Sequence, residues 1–143
     1  ILWITLHVGV GTFRPITVSN IEDHPMSSEW YEISPPVLEA LVKAKKDSRP
    51  ISVVGTTAVR ALESCFQTEN PKPSGETSLF IYPGYSFRIV DRLLTNFHQP
   101  CSTPLLLTCA FAGKERVFSA YKQAIEKGYR LFSYGDCMWI ESS

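Results

Sequence analysis

Residues 51–66 read Ile-Ser-Val-Val-Gly-Thr-Thr-Ala-Val-Arg-Ala-Leu-Glu-Ser-Cys-Phe, and this segment determines the class of fold. Its apolar run 51–54 is short and continuous, which is typical of a strand buried on both faces. Gly55 ends the strand, and from Val59 onwards apolar residues recur at the spacing of one helix face. The segment therefore predicts a strand followed by a helix over 58–67.

Another helix is predicted just before this segment, over 35–46. Ser34 is a favourable N-cap, Pro35 suits the first helical position, and apolar residues follow at helical spacing. Earlier still, runs rich in β-branched and aromatic residues predict strands over 1–8 and 29–33. Strands and helices that alternate in this way indicate an α/β fold.

The rest of the chain continues the α/β pattern as one predicted domain over 1–143. The polar, proline-containing segment 68–76 predicts a surface loop. The remaining predicted strands cover 78–82, 87–91, 93–98 and 129–134, with a further extended segment over 137–140. The remaining predicted helices cover 102–112 and 116–127, the second with Val117, Tyr121, Ala124 and Ile125 facing inward.

The composition narrows the range of functions. The 143 residues are 44% hydrophobic and 20% charged, as in ordinary globular proteins. Lys and Arg number 14 and so do Asp and Glu, so the net charge of zero argues against a nucleic-acid binder with a generally basic surface. No apolar run reaches the length of a membrane span, so no membrane partner is expected. The apolar N-terminus has no basic region before it, so no signal peptide is expected. The missing initiator Met predicts that the chain is a piece of a longer protein.

The cysteines predict neither a metal site nor disulfides. None of the four belongs to a Cys-x-x-Cys pair, and only three histidines are present, so no zinc site is expected. Scattered cysteines of this kind fit a reducing compartment, and we expect a cytoplasmic protein.

The glycine segment, Gly9-Val10-Gly11-Thr12, follows the first predicted strand. Gly9 and Gly11 allow the backbone to approach a ligand closely, and His7 lies at the strand end. Such a segment binds a ligand or only forms a structural turn, and a lone histidine is often part of the core. Both interpretations of the glycines and of His7 stay open.

The start of the predicted helix 58–67 suits an anion. Unpaired N–H groups and the helix dipole attract a carboxylate or phosphate there, and Thr56 and Thr57 add hydroxyls. Arg60 lies one turn further on and adds a positive charge. The alternative is that Thr57 is only the N-cap and that Arg60 pairs with Glu63 or Glu29.

Two further strand ends carry polar or aromatic groups. Asn96 and His98 alternate onto one face of a strand, where they bind a ligand or only cap the strand. Tyr134 and Asp136 follow the strand predicted over 129–134, where they bind a purine or a ribose hydroxyl, or Asp136 merely forms an Asx turn. Four such strand ends together are typical of an α/β active site.

Seven segments in order along the chain resemble the S-adenosylmethionine:tRNA ribosyltransferase-isomerase family of queuosine biosynthesis. The first is His-Val-Gly-Val-Gly-Thr-Phe-Arg-Pro at 7–15, and the sixth is Ala-Phe-Ala-Gly at 110–113. The other five cover 26–29, 54–64, 80–85, 95–100 and 129–136.

The resemblance implies an activity and a fold. The family transfers the ribosyl part of S-adenosylmethionine to 7-aminomethyl-7-deazaguanine at the wobble position of tRNA. The ribose is rearranged to give epoxyqueuosine-tRNA, with release of adenine and methionine. S-adenosylmethionine is consumed, so no separate cofactor is expected. The chain would be the C-terminal part of the large mixed-sheet α/β domain, without the smaller β-barrel domain. Its partners would be the tRNA anticodon loop and the missing N-terminal half.

Roles for the candidate residues follow from that chemistry. A base must remove a proton next to the sulfonium, and purine, hydroxyls and carboxylate must be held. We expect His7 or His98 in proton transfer. The groups expected to bind substrate are Gly9, Gly11 and Thr12 for the ribosyl or methionine part, Thr56, Thr57 and Arg60 for an anion, Asn96 and Asp136 for hydrogen bonds to a base edge or hydroxyls, and Tyr134 or Phe13 for stacking on a purine.

The sequence departs from the family at two positions. Ser27 stands where the family usually has His, and Pro104 interrupts a Leu-rich stretch. Two rival interpretations stay open, an inactive piece and a module that binds a nucleotide-like ligand without turnover. An α/β hydrolase is excluded because the chain has no Gly-x-Ser-x-Gly motif. The neutral charge predicts that RNA binding weakens only modestly with salt.

Overall fold

The computed structural model describes residues 1–9, 11 and 14–141, and it shows a mixed α/β fold. The helices are α1 (Pro35–Lys46), α2 (Thr56–Cys65), α3 (Thr103–Ala112) and α4 (Lys114–Glu126). The strands are β1 (Thr5–His7), β2 (Glu29–Glu32), β3 (Ser52–Val54), β4 (Ser74–Thr77), β5 (Arg92–Asn96) and β6 (Cys137–Glu141). Single 3-10 turns cover Ile21–Asp23 and Phe132–Tyr134.

The strands form two three-stranded sheets. The first has the order β1-β2-β4 and is antiparallel throughout. The second has the order β3-β5-β6, in which β3 and β5 are parallel and β5 and β6 antiparallel. The parallel pair brings the carboxyl ends of β3 and β5 to the same edge, which is where ligands bind in such sheets.

Helix α2 is the centre of the core. Every residue from Val59 to Cys65 is buried, because α2 contacts both sheets and α3. Its apolar side chains pack with residues such as Ile33, Leu93 and Leu107 in one hydrophobic cluster. A helix buried on all sides holds its N-terminus in a fixed position at the sheet edge.

Local sequence signals account for the other helices. Pro35 begins α1, and the Ser34 carbonyl accepts the N–H groups of Val37 and Leu38. Ser102 caps α3 by accepting the Leu105 N–H. Pro104 lies in the first turn of α3, where its missing N–H leaves no helical hydrogen bond unmade. This position of the proline is therefore compatible with the helix.

Two predicted strands between 78 and 91 are absent, and side chains of α2 explain why. Glu63 is fully buried, and its carboxylate accepts the N–H groups of Arg88, Ile89 and Val90. Arg60 donates from Nε to the carbonyl of Leu79 at 3.1 Å. Backbone groups that bind side chains in this way need no partner strand. The predictions over 78–82 and 87–91 are thus wrong.

Other boundaries differ for similar reasons. The strand predicted over 129–134 is a loop with a 3-10 turn, since Phe132 has φ +63° and breaks extended structure. The loop predicted over 68–76 ends in β4, because polar residues suffice for an edge strand that pairs with β2. The strand predicted over 1–8 is limited to Thr5–His7.

Two burial predictions are also wrong. In β3 only Val53 is buried and Val54 is 71% exposed, because successive side chains point to opposite faces and only the face of Val53 packs against the core. In α4 Ile125 is 62% exposed, while Val117 and Ala124 face inward as predicted.

Candidate active site

A cleft of about 440 Å³ opens at the carboxyl ends of β3 and β5. Its volume is within the range of small-molecule sites. The N-terminus of α2, the end of β5, the loop after β5 and the 132–133 turn all contribute to it. Its polar lining includes Arg14, Thr56, Thr57, Asn96, His98 and Ser102. The structure thus brings four of the predicted site residues together, namely Thr56, Thr57, Asn96 and His98.

Two walls of the cleft contain left-handed backbone. The described residues include three non-glycine residues with positive φ, and two of them, Cys101 and Phe132, line the cleft. The Cys101 carbonyl accepts the Ile16 N–H at 2.8 Å, and the Phe132 N–H donates to the Phe97 carbonyl at 3.1 Å. Such conformations cost free energy and concentrate at functional sites.

The N-terminus of α2 faces the cleft without a side-chain cap. Gly55 is the N-cap residue, with φ +86°, and Thr56 and Thr57 are the first two helical residues. The prediction that Thr57 is only the N-cap is therefore wrong. The first-turn N–H groups of a helix have no partner inside it. Arg14 lines the same cleft and adds a positive charge to the positive end of the helix dipole.

His98 is held from two sides. Its Nε2 lies 2.8 Å from Thr95 Oγ1, and its backbone N–H donates to the Tyr121 hydroxyl at 2.5 Å. Burial lowers the pKa of the His98 imidazole to about 4. The side chain is therefore neutral at pH 7. Asn96 shares this face, and Thr95 and Phe97 are buried, as the alternation predicts.

Arg60 is buried in an ion pair. Its Nη1 lies 2.5 Å from Glu29 Oε2, with the two side chains 7% and 0% exposed. The other oxygen of Glu29 accepts the Gly9 N–H at 2.8 Å. Of the alternatives for Arg60, the structure contains the pairing with Glu29. The pair connects the glycine segment to α2.

Gly11 packs against Ser27. A Cβ on Gly11 would overlap Ser27 Oγ and would lie 2.5 Å from Ser27 Cβ, so the space suits only glycine here. Around Gly9 the nearest atom to such a Cβ is 3.8 Å away. Ser27 is thus a packing partner of Gly11.

The other predicted residues lie elsewhere. The side chain of His7 is on the exposed face of the first sheet, opposite Trp30 in the strand register. Tyr134 is 77% exposed, and Asp136 accepts the Arg130 N–H at 2.5 Å, which closes the turn. Thr12 and Phe13 lie outside the described residues.

Three contributions were not predicted from the sequence. Arg14 supplies the cation of the cleft, and Thr95 and Tyr121 fix His98. The position of Arg14, shortly after the glycine segment in the sequence, was a signal that could have predicted its place at the cleft. The roles of Thr95 and Tyr121 depend on contacts between β5 and α4, which the sequence pattern does not specify.

The described residues contain neither a metal cluster nor a membrane-spanning helix. Among residues 1–9, 11 and 14–141, no three His, Cys, Asp or Glu side chains come together as a metal site would require. No helix there is long and apolar enough to cross a membrane. The four cysteines are free, with Cys65 and Cys109 buried and Cys101 and Cys137 exposed.

The fold and the cleft define an α/β protein with a cleft at the carboxyl ends of two parallel strands. The sequence profile of the family described as queuosine biosynthesis protein matches residues 1–140, and the chain belongs to this family. The S-adenosylmethionine:tRNA ribosyltransferase-isomerase of Heliobacterium modesticaldum is 51% identical over 140 residues, which are 96% of this chain and 41% of that protein. The protein of the same name from Nitrosomonas europaea is 52% identical over 145 residues, covering 99% and 41%.

A solved structure supports the same relationship. The crystal structure of S-adenosylmethionine tRNA ribosyltransferase from Thermotoga maritima matches with a TM-score of 0.74 and 43% identity. The match covers 78% of this chain and 40% of that one. The chain thus spans about two fifths of the length of the relatives that it matches.

Proposed function

We propose that this chain provides catalytic residues of an S-adenosylmethionine:tRNA ribosyltransferase-isomerase. The ribosyl part of S-adenosylmethionine is transferred to 7-aminomethyl-7-deazaguanine at the tRNA wobble position. The ribose then rearranges to give epoxyqueuosine-tRNA, and adenine and methionine leave. The observation that carries the proposal is the cleft that joins the α2 N-terminus to Asn96 and His98, within a chain of this family.

The anion subsite binds the methionine carboxylate in this proposal. Arg14 lines the same cleft as Thr56 and Thr57, the first two residues of α2. A carboxylate at a helix N-terminus is favoured by about 0.3–2 kcal/mol, and a guanidinium adds a charge-assisted hydrogen bond. Arg60 acts indirectly, because its charge is already paired with Glu29.

His98 is the proposed base of the first step. It removes the proton next to the sulfonium, so the proton moves from carbon to the imidazole. Of the two candidate histidines, His98 is favoured because it lines the cleft, whereas His7 lies on the exposed face of the first sheet. In the tautomer whose Nε2–H donates to Thr95, Nδ1 accepts the proton. The acid that assists adenine departure is the same imidazole once it is protonated.

Polar and aromatic groups around the cleft are proposed to hold the purine and the sugar. Asn96 hydrogen-bonds a base edge or ribose hydroxyls, and Asp136 orders the adjoining turn through its bond to Arg130. Tyr134 and Phe13 stay candidates for stacking, and Phe132 joins them because it lines the cleft. The glycine segment with Gly9, Gly11 and Thr12 is proposed to border the ribosyl part. S-adenosylmethionine is the ribosyl donor, and no further cofactor is proposed.

The proposed partner is the anticodon loop of a cytoplasmic tRNA. In the whole enzyme the remaining three fifths of the relatives' length would complete the site or position the tRNA. Both substrates must meet at the cleft, since ribose passes directly from one to the other. This requirement is the reason for placing the wobble base next to His98.

Adenine release tests the proposal. S-adenosylmethionine and tRNA carrying 7-aminomethyl-7-deazaguanine are incubated with this chain, and in parallel with the full-length Heliobacterium relative. Adenine from both proteins places the catalytic residues in this chain. Adenine from the relative only, with S-adenosylmethionine still bound by this chain, indicates a binding module that needs the rest of the protein. Failure of this chain to bind S-adenosylmethionine contradicts the proposed cleft.

A further inference from the structure

A groove of about 580 Å³ runs along α4, next to the cleft. Arg116, Ser119, Gln123 and Lys127 line it on one helix face, and Tyr129 closes its end. Arg116 and Lys127 are eleven residues apart, so about 16 Å of helix separates the two cations. Glu115 is the acidic residue among the lining side chains.

The region of the groove is basic although the chain is neutral. Between Lys114 and Arg130 there are five cations and two carboxylates, whereas the rest of the chain has nine cations and twelve carboxylates. The segment 114–130 therefore carries a net charge of +3, and of its charged residues Arg116, Lys127 and Glu115 line the groove. Such a local excess attracts a polyanion even when the total charge is zero.

Exposed aromatic side chains adjoin these cations. Tyr129 is 49% exposed at the end of the groove, and Phe132 is 36% exposed three residues later. The ring of Tyr129 is supported edge-on by Phe97 at a centroid distance of 6.3 Å. Cations together with exposed rings are the elements that bind single-stranded nucleic acid, through phosphates and stacked bases.

The groove and the cleft adjoin at Phe97. Phe97 lines both, and the segment from Tyr129 to Ser133 passes from the groove to the cleft. The hydrogen bond from the Phe132 N–H to the Phe97 carbonyl fixes this passage. An extended strand could therefore lie along α4 and place one of its bases in the cleft.

We infer that the α4 groove binds the single-stranded RNA that leads into the cleft, through the charges of Arg116 and Lys127 and the ring of Tyr129. The inference rests on the proposed function for the identity of the polyanion. It extends that proposal by naming the surface and the direction from which RNA enters.

Binding of an RNA stem–loop to this chain tests the groove. A fluorescent unmodified anticodon stem–loop is titrated with the protein at low salt and at several higher salt concentrations. We expect Arg116→Gln with Lys127→Gln to weaken binding about tenfold and to lower the salt slope by about two. Tyr129→Leu keeps the apolar contact with Phe97 and removes stacking on the phenol ring, which should weaken binding about fivefold or more.

The matched control is Lys43→Gln with Lys46→Gln, which removes the same charge from the exposed end of α1. It should stay within about twofold of the unchanged chain, with thermal unfolding recorded for every variant. Three results would overturn the inference. The first is that the groove double variant and the control double variant weaken RNA binding equally. The second is that a continuous RNA duplex binds as tightly as the stem–loop, and the third is that no RNA binds at low salt.

Binding of S-adenosylmethionine to the same variants separates the two proposals. Groove variants that lose RNA while they keep S-adenosylmethionine support the groove. If RNA binding by this chain depends on the groove but the chain neither binds S-adenosylmethionine nor releases adenine, the proposed function fails and the RNA surface stands. If adenine is released and the groove variants bind RNA normally, the groove inference alone fails.

Discussion

Glu29 and Arg60 form a buried ion pair in which each side chain also fixes a separate part of the backbone. Arg60 Nη1 lies 2.5 Å from Glu29 Oε2, and its Nε donates to the Leu79 carbonyl. Glu29 Oε1 accepts the Gly9 N–H. The pair therefore joins β2, the glycine segment and the segment after β4 to the central helix α2.

Removal of one partner of this pair should be strongly destabilising. Glu29→Leu leaves the Arg60 charge buried and uncompensated, which costs about 3–5 kcal/mol. The double variant Glu29→Leu with Arg60→Leu should lose less than the single variant, because no charge stays buried. Urea unfolding of the unchanged chain, of Glu29→Leu, of Arg60→Leu and of the double variant gives the coupling free energy.

Arg49→Gln serves as the control for the ion pair. It breaks the exposed pair of Arg49 and Asp47 at 3.8 Å and should change the free energy of unfolding by less than about 1 kcal/mol. If the free-energy losses of Glu29→Leu and Arg60→Leu add up to the loss of the double variant, the two side chains act independently and this prediction is wrong.

Gly9 and Gly11 should differ in their tolerance of substitution by alanine. Gly11→Ala forces a methyl group against Ser27, which should cost about 1–3 kcal/mol. Gly9→Ala meets only an ordinary contact and retains the N–H that binds Glu29, so it should be nearly neutral. Thermal unfolding checks both, and Ser27→Gly should restore most of the stability lost in Gly11→Ala. Equal effects of the two alanines would contradict the packing argument.

The pKa of His98 should make stability depend on pH in the acid range. Its pKa is about 4 in the folded chain and 6.5 as the ordinary value, so the unfolded chain binds the proton more readily. The contribution of neutral His98 is present above pH 6.5 and is lost as pH falls from 6.5 towards 4. Between pH 7 and pH 4.5 the free energy of unfolding, measured with urea, should therefore fall less in His98→Gln than in the unchanged chain.

Proton NMR provides the direct measurement of this titration. The His98 ring signals should stay those of the neutral imidazole at pH 5.5 and change only near pH 4. The control substitution is His7→Gln on the exposed face of the first sheet, which should leave the His98 transition in place. A midpoint for His98 above pH 6 would show that burial does not control its pKa.

Arg14 should contribute to ligand binding at the cleft. Arg14→Gln removes the guanidinium beside the N-terminus of α2, which should weaken S-adenosylmethionine binding about tenfold, as loss of one charge-assisted hydrogen bond does. Calorimetric titration of this chain measures the effect. Arg49→Gln removes the same charge at a distant exposed site and should have no effect. Unchanged affinity in Arg14→Gln would remove this residue from the anion subsite.

Helices were predictable from the sequence because their signals are local. Proline at the start and apolar residues at helical spacing gave α1 its observed bounds, 35–46. The strands predicted over 78–82 and 87–91 failed because Glu63 and Arg60 bind those backbones from far along the chain. No periodicity within a strand reports such a contact.

The same distinction applies to the site. Thr56, Asn96 and His98 were found because residues at strand ends and helix starts are recognisable in the sequence, and these ends meet at one sheet edge. The place of Arg14 at the cleft was not predicted, because it depends on contacts between parts of the chain that are distant in sequence. The low pKa of His98 likewise depends on burial beneath neighbouring elements, which only the assembled fold provides.

The path of the chain between the two sheets has a consequence for folding. The chain enters the first sheet with β1 and β2, crosses to the second with β3, returns with β4 and crosses again for β5 and β6. No single cut of the backbone separates one complete sheet from the other. We therefore propose that the two sheets form and unfold in one cooperative transition, so that protection from hydrogen exchange is lost in both at once. On this view a protein truncated before β6 loses the rigidity of its cleft together with the last strand.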